Sequence, residues 1–201
     1  MRFLDFKQKF ASFNTITSQE VRNAFGNINQ SQFSTWKKRG LILSAKKGVY
    51  VLPDAEVDPL LMANELNYSY LSLEFALSFY QIIPEITPSF TSVSNNRNEE
   101  ISNKFGNFYY RKIASKLFCG FTLIESQAQS NRYIRIAEKE KALFDLIYFR
   151  KDLRDAQDFD SLRLNMEKIN PKKLKKFIAL IKATQTKKRL NNFLNYLHAV
   201  V

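Results

Sequence analysis

One stretch, "NINQSQFSTWKKRGLILSAKKGVYVL" (residues 27–52), constrains the fold most strongly, because its hydrophobic spacing changes at Gly40. Before Gly40, Asn29 can cap a helix in which Phe33 and Trp36 share one face. After Gly40, two apolar runs flank a Gly-containing turn, which is the pattern of a β-hairpin. Gly40 itself suits the left-handed conformation that ends many helices. This stretch therefore predicts a helix followed directly by a hairpin.

Two further helix signals precede this stretch. Residues 4–13 alternate apolar and basic side chains, which indicates a short helix. Thr17 and Glu20 belong to the pattern T-S-Q-E, a capping box that starts a second helix ending near Gly26. Three short helices followed by a hairpin is the element order of a winged helix-turn-helix. We expect this DNA-binding domain over residues 1–54.

Residues 59–201 are expected to form a second, α+β domain, because helical and strand patterns follow one another there after a Pro-containing linker. A helical pattern extends over residues 60–83, and a strong amphipathic helix over residues 137–150. Four segments between them have the composition of strands: "SFTSVS", "FGNFYYRKI", "LFCGFTLIE" and "YIRI". They predict a small antiparallel sheet. Asn170 and Pro171 then start the first of two basic C-terminal helices.

The net charge of +12 is concentrated at the two ends of the chain. Residues 1–50 hold nine Lys and Arg against two acidic residues, residues 51–165 hold 13 against 16, and residues 166–201 hold nine against one. Such asymmetry favours a polyanionic partner, most often nucleic acid. A solvated surface that serves solubility would produce the same asymmetry, and charge alone does not separate these two interpretations.

Neither export nor membrane insertion is expected from the sequence. No apolar run reaches the roughly 18 to 20 residues that a membrane-spanning helix needs, and Asp5 and Lys7 interrupt the segment where a signal peptide would be apolar. A single cysteine, Cys119, cannot form an internal disulfide, which suits a reducing cytoplasm. We therefore expect a cytoplasmic protein with no membrane partner.

The sequence offers few candidates for catalysis. One His and one Cys do not suffice for common zinc sites, and the five glycines are isolated, so neither a P-loop nor a dinucleotide fingerprint occurs. Asp158 and Asp160 could hold Mg²⁺, but Asp160 also stands where it can cap the next helix. We expect no enzyme, no catalytic residue, no metal and no cofactor. A metal-dependent phospho- or nucleotidyltransferase that uses these two aspartates is the alternative.

The helix before Gly40 divides into an anchoring face and a polar face. Phe33 and Trp36 are expected in the core, and short polar side chains lie opposite them, as in a helix that enters a DNA groove. The DNA-binding candidates on this helix and at the hairpin tip are Ser31, Ser34, Thr35, Lys37, Lys38, Arg39, Lys46 and Lys47. The hydroxyls and Lys38 would supply sequence preference, and the other cations would contact phosphate. A winged-helix module that binds a protein instead of DNA is a further alternative.

Six segments occur in a recognisable order along the chain: "KRGLILSAKKGVYVL", "YLSLEFALSFYQIIPE", "TSVS", "FGNFYYRKI", "LFCGF" and "EKALFDLIYFR". In this order and spacing, the sequence resembles AbiEi-type antitoxins, the regulators of type IV AbiE abortive-infection toxin–antitoxin systems. One departure is the pair Glu138 and Lys139, which stand where the family usually has Ser-Pro ahead of "EKAL".

The resemblance implies an autorepressor that binds double-stranded DNA, at inverted repeats upstream of its own operon, through the N-terminal domain. It also implies that the C-terminal domain counteracts a nucleotidyltransferase-like toxin, with or without direct binding. The candidate antitoxin surface lies on the basic C-terminal helices: Lys172, Lys173, Lys175, Lys176, Lys187, Lys188 and Arg189. A solvated helix face accounts for these cations equally well.

Overall fold

The computed structural model describes residues 1–27 and 29–200, which form a mixed α+β structure with two sheets. The first part contains α1 (Phe3–Phe10), β1 (Ile16–Thr17), α2 (Ser18–Phe25), α3 (Gln30–Lys38), β2 (Leu43–Lys46) and β3 (Val49–Val51). The second part contains α4 (Pro59–Leu66), β4 (Ser69–Leu71), α5 (Leu73–Phe79), β5 (Phe90–Ser94), β6 (Glu99–Asn103), β7 (Gly106–Lys112), β8 (Phe121–Glu125), β9 (Tyr133–Ala137), α6 (Lys139–Phe149), α7 (Ala156–Asp160), α8 (Pro171–Ala179) and α9 (Thr184–Val200). Short 3₁₀ turns lie at Ser115–Leu117 and Met166–Lys168.

The predicted caps of α2 and α3 are confirmed, whereas α1 ends at Phe10, three residues before the predicted end of its helix. The Thr17 hydroxyl accepts the backbone N–H of Glu20, while the Glu20 carboxylate accepts the N–H of Thr17, so both halves of the capping box are present. Asn29 Oδ1 accepts the N–H of Ser31 at 3.0 Å and caps α3. Gly40 follows that helix with φ +68°, a backbone conformation that glycine adopts without steric cost.

An aromatic cluster holds α1 and α3 together. Phe6, Phe33 and Trp36 are buried, and the Trp36 ring lies 5.2 Å from the rings of both Phe6 and Phe33. Burial of aromatic side chains of this size is a major source of stability in a small unit. Trp36 is therefore a core residue, as the helical spacing predicted.

The hairpin lies between two hydrophobic clusters. Strands β1, β3 and β2 form a small antiparallel sheet in that order. Because side chains alternate along a strand, Tyr50 and Leu52 belong to the aromatic cluster, whereas Val49 and Val51 belong to the larger core of the second part. The hairpin thus packs on both parts of the chain. The division into residues 1–54 and 59–201 stays a prediction from the sequence.

The second sheet has six strands in the order β6-β7-β5-β4-β9-β8. Pairs β4–β5, β6–β7 and β8–β9 are antiparallel, but β5–β7 and β4–β9 are parallel. Of the antiparallel pairs, only β8–β9 joins two predicted strands, so the predicted antiparallel sheet is confirmed in part. The parallel pair β5–β7 arises because β6, an exposed edge strand with the charged sequence "EEISN", reverses the chain between them. Neither β6 nor β4 was predicted from the sequence, so the predicted sheet was smaller and simpler than the observed one.

The predicted helix over residues 60–83 is wrong in its centre. Two helices, α4 and α5, occupy its ends, and β4 separates them in the middle of the sheet. Leu73 joins β4 to α5 with φ +57°, a left-handed conformation that is costly for a branched side chain. Leu73 is buried, so burial in the core offsets this local cost.

Helix α6 is the centre of the second part. The sequence predicted an amphipathic helix, but Glu140–Ile147 are buried on every side, because the sheet and helices α5, α8 and α9 surround them. The charged residues Lys141 and Asp145 pair with each other inside this core. Tertiary packing therefore buries positions that the hydrophobic pattern alone assigns to solvent.

A polar network joins the first part of the chain to α4. The buried Asn14 amide donates to the Asp58 carbonyl at 3.2 Å and accepts the Asp58 N–H at 2.8 Å. The Glu65 carboxylate accepts from Asn14 at 3.0 Å and from the Thr15 hydroxyl at 2.8 Å, and pairs with Arg132. Burial raises the pKa of Glu65, and these donors oppose that effect. The two parts are thus connected by directional contacts as well as by apolar packing.

The C-terminal helices are amphipathic. Leu174 and Ile178 of α8, and Leu190 and Phe193 of α9, are buried, while the lysines of both helices face solvent. Asn170 caps α8 and Pro171 occupies its first turn, as predicted. Among the described residues, no helix combines the length and the apolar composition needed to cross a membrane.

Candidate nucleic-acid interface

A cationic cleft lies between α2, α3 and the turn that joins β2 to β3. It has a volume of about 620 Å³ and is lined by Arg22 of α2, Ser34 and Lys37 of α3, and Lys47 of the turn, with Tyr50 among its apolar lining. No carboxylate among the described residues lines it. A concave surface lined by positive charges alone focuses the electrostatic potential and attracts anions.

The aromatic anchors of α3 decide which of its side chains face outward. Because Phe33 and Trp36 point into the core, residues at the positions opposite them are directed to solvent. The predicted contact residues of this helix and its C-cap are all exposed: Ser31, Ser34, Thr35, Lys37, Lys38 and Arg39. Ser34 and Lys37 lie on the cleft side of the helix, next to the hairpin.

The hydroxyl groups of α3 already make local hydrogen bonds. Ser34 Oγ donates to the Gln30 carbonyl at 3.1 Å, and Thr35 Oγ1 donates to the Ser31 carbonyl at 3.0 Å. Ser31 Oγ donates to Asn29 Oδ1 at 2.6 Å. A hydroxyl oxygen has two acceptor lone pairs, so these groups remain free to accept hydrogen bonds from a ligand. Donation to a ligand would require the hydroxyl to rotate out of its bond with the helix.

The ion pairs within the first part of the described chain involve no residue that lines the cleft. Asp5 pairs with Arg2, and Asp54 pairs with Lys7, on α1 and the linker. Within the described residues, no ion pair involves the cleft and α3 cations: Arg22, Lys37, Lys38, Arg39 and Lys47. These five charges are available to an external anion.

Lys46 does not lie at the DNA-binding surface that was predicted from the sequence. Its Nζ lies 2.7 Å from Glu99 Oε2 and 3.1 Å from the Leu66 carbonyl, and its side chain is 23% exposed. Lys46 ends β2 directly after a register irregularity, and it points toward the second part of the chain, whereas Lys47 in the turn points into the cleft. The structure therefore brings Lys47 to the α3 surface and keeps Lys46 away from it.

Arg22 belongs to this site although it was not predicted from the sequence. The capping box located α2, but nothing in the local pattern shows that Arg22, the residue after buried Val21, reaches the same cleft as Lys37. Its Nη2 donates to Gln19 Oε1 at 2.9 Å, which holds the side chain along the helix. The charge count of residues 1–50 was the available signal, because it includes this arginine.

The C-terminal cations fall into two groups. Lys172, Lys173, Lys175, Lys176, Lys187 and Lys188 are exposed, and only Lys173 among them has an ion-pair partner in the described chain, Glu138 at 3.3 Å. Arg189 instead donates from Nε to the Ile147 carbonyl and from Nη2 to the Tyr148 carbonyl, both at 3.0 Å. Burial lowers the pKa of Arg189. Arg189 therefore caps the end of α6 and is not a free surface cation.

Asp158 and Asp160 make contacts that differ from those of a metal site. Asp158 completes a capping box with Asp155 at the start of α7. Asp160 is the last residue of α7, and its carboxylate accepts the Tyr196 hydroxyl instead of capping a helix, so the expected cap by Asp160 is wrong. This hydrogen bond raises the pKa of Tyr196 to about 12. Over residues 1–27 and 29–200, no three His, Cys, Asp or Glu side chains gather in a group that could hold a metal ion.

The fold is similar to that of the RV2827C protein from Mycobacterium tuberculosis. Its crystal structure matches with a TM-score of 0.52 at 12% sequence identity, over 94% of this chain and 75% of that chain. A likeness at this identity concerns the mixed α+β fold alone. None of the protein-family models matches the sequence, and no curated protein matches it.

Proposed function

We propose that this chain is a DNA-binding transcriptional repressor whose residues 1–54 form a winged helix-turn-helix domain. The observation that carries the proposal is the cationic cleft, in which Arg22, Lys37 and Lys47 converge from three elements with no carboxylate among the described lining residues. Phosphate contacts supply most of the affinity of such proteins, and each contact makes binding more sensitive to salt.

Helix α3 is the recognition helix in this proposal. Its outward face carries Ser31, Thr35 and Lys38. The major groove, about 12 Å wide, admits an α-helix, so these side chains would lie within reach of the base edges. Lys37, Lys47 and Arg22 then lie beside the groove and contact phosphate. Lys46 has no place in this surface, because Glu99 holds its ammonium group.

We further propose that the chain acts in the cytoplasm as an antitoxin of the AbiEi type. The support is the sequence resemblance, which implies inverted repeats upstream of its own operon as the DNA target and a nucleotidyltransferase-like toxin as the functional partner. The candidate antitoxin surface consists of the five lysines of α8 and α9 that have no ion-pair partner among the described residues: Lys172, Lys175, Lys176, Lys187 and Lys188. Co-expression with a toxin gene from the same operon tests this role, since growth should be restored by the wild type and lost when the five lysines are replaced by Ala.

The DNA-binding proposal is tested by fluorescence anisotropy on the DNA upstream of the gene. The triple variant Arg22→Ala, Lys37→Ala, Lys47→Ala removes three phosphate contacts, so the slope of log K against log salt should fall in magnitude by about 2.7. Its affinity at low salt should fall by more than tenfold.

A matched control carries Lys112→Ala, Lys116→Ala and Lys151→Ala, which removes the same number of exposed cations away from the cleft. This control should keep the wild-type salt slope. Equal losses in the two triple variants would mean that overall charge, and not the cleft, governs binding. Absence of any DNA binding by the wild type would refute the proposal itself.

A further inference from the structure

The turn between β2 and β3 is fixed to both parts of the chain. On one side, the Gly48 carbonyl accepts the Ser18 N–H at 2.8 Å and the Ser18 hydroxyl at 3.2 Å, which attaches the turn to the start of α2. Gly48 has φ +78°, so a glycine suits this position of the turn. Lys47, between Gly48 and Lys46, is the residue that reaches the cleft.

On the other side, the second part of the chain holds the end of β2. The Lys46 ammonium group pairs with Glu99 of β6 at 2.7 Å, and Asn103 of the same strand donates from Nδ2 to the Ala45 carbonyl at 3.0 Å. The Glu99 carboxylate is itself held by Arg97 at 3.1 Å and by Asn67 at 3.3 Å. This carboxylate side chain is only 15% exposed. The ion pair is therefore less screened by solvent than a fully exposed pair.

Apolar side chains of the hairpin also pack on the second part of the chain. Val49 and Val51 of β3 belong to the core of the second part, and Ala45 of β2 lies in the same cluster. A wing that extends freely into solvent loses conformational entropy when it binds DNA, whereas a wing already fixed in place does not. The hairpin here is fixed before any ligand binds.

We infer that Glu99 and Asn103 of β6 are positioning residues for DNA binding, which hold the β2–β3 turn so that Lys47 faces the phosphate backbone beside α3. The inference rests on the proposed DNA-binding function. It assigns to the second part of the chain a role in DNA affinity without any contact to DNA, and it assigns to Lys46 an internal role.

This inference and a direct phosphate contact by Lys46 predict opposite effects of Glu99→Gln. If Lys46 contacts phosphate, loss of Glu99 releases its ammonium group and removes a nearby negative charge, so binding becomes tighter. If Glu99 positions the turn, its loss loosens the turn and binding becomes weaker. Glu100→Gln makes the same chemical change one residue along β6, at an exposed side chain, and serves as the matched control.

The experiment measures DNA affinity by anisotropy for Glu99→Gln, Glu100→Gln, Lys46→Met, Lys47→Met and the charge reversal Lys46→Glu with Glu99→Lys. We expect binding of Glu99→Gln to be about fivefold weaker than that of Glu100→Gln, and the charge reversal to restore affinity to within about twofold of the wild type. Lys47→Met should reduce the magnitude of the salt slope by about 0.9, and Lys46→Met should leave that slope unchanged.

Thermal unfolding of each variant establishes that the protein is folded at the assay temperature. Binding of Glu99→Gln that equals or exceeds that of Glu100→Gln would overturn the inference, as would a charge reversal that binds no better than Lys46→Met. Failure of the proposed function has a different result: either the wild type binds no DNA, or the wild type and every variant bind DNA with an affinity that does not depend on the cleft cations.

Discussion

Lys141 and Asp145 form an ion pair one turn apart on α6, and their side chains are 1% and 0% exposed. The Asp145 carboxylate also accepts the Tyr70 hydroxyl at 3.0 Å and the Ser72 hydroxyl at 2.8 Å, both from the region of β4. The Lys141 ammonium group lies over the rings of Tyr70 and Phe144, at 5.2 Å and 4.9 Å from their centroids. One carboxylate thus joins the central helix to the central strand.

Replacing Asp145 with Ala should destabilise the protein strongly. The change leaves a buried ammonium group and two buried hydroxyls without their acceptor, which typically costs about 3 to 5 kcal/mol. Asp152→Ala removes an exposed carboxylate that pairs with Arg150, and it should cost less than about 1 kcal/mol. Urea unfolding of both variants measures the difference. Similar losses in the two variants would show that the buried pair contributes no more than a surface pair.

Arg189 and Lys188 are neighbours on α9 with different expected effects on stability. Arg189→Ala leaves the carbonyls of Ile147 and Tyr148 without their charged donor, so we expect a loss of about 1.5 to 3 kcal/mol. Lys188→Ala changes an exposed side chain and should alter stability by less than about 0.5 kcal/mol. Chemical denaturation tests this, and equal stability of the two variants would contradict the capping role of Arg189. Under the proposed antitoxin function, loss of activity in Arg189→Ala should accordingly follow the loss of folded protein.

Under the proposed DNA-binding function, Thr35 is expected to affect discrimination between DNA sequences more than overall DNA affinity. Its hydroxyl proton is bonded to the Ser31 carbonyl, but its oxygen can accept from a base amino group, and its methyl group can contact thymine. Thr35→Ala should lower the ratio of specific to non-specific affinity by a factor corresponding to about 1 to 3 kcal/mol, with no change in salt slope. Competition binding with operator and scrambled DNA measures this ratio. A changed salt slope with an unchanged ratio would place Thr35 against phosphate instead.

The stability contribution of Glu99 should depend on pH. Burial disfavours the Glu99 carboxylate, but Lys46 and Arg97 outweigh burial and lower its pKa below the ordinary value of 4.5. A lowered pKa in the folded state stabilises the protein above the ordinary value, and this stabilisation is lost as pH falls through the folded-state pKa. We expect Glu99→Gln to be less stable than the wild type by about 1 kcal/mol at pH 7, with the difference approaching zero at low pH. Unfolding titrations at several pH values measure this difference, and a difference that persists below the lowered pKa would contradict the ion-pair explanation.

Local signals in the sequence were sufficient for the N-terminal helices and the hairpin. The capping box at Thr17, the cap at Asn29 and the turn glycine at Gly40 each act through hydrogen bonds or backbone angles of adjacent residues, so their patterns are visible along the chain. The same applies to Asn170 at the start of α8.

Features that depend on distant residues were missed. Strand β4 lies within an apolar stretch that fits a helix equally well, and only its position between β5 and β9 makes it a strand. Lys46 and Lys47 are adjacent and chemically identical, yet a carboxylate 53 residues after Lys46 separates their roles. The sequence predicted which residues of α3 are exposed, but not which cations share a cleft, because that depends on how α2 packs against α3.

The contacts of Asn14 limit how the N-terminal segment can be exchanged between homologous proteins. This fully buried amide is bonded at both ends to the backbone of Asp58, and its neighbour Thr15 is bonded to Glu65. A chimera that exchanges residues 1–54 between two homologues at the linker would lose these matched partners unless both sides carry them. Under the proposed DNA-binding function, new specificity is therefore more accessible through substitutions on the outer face of α3 than through exchange of the whole N-terminal segment.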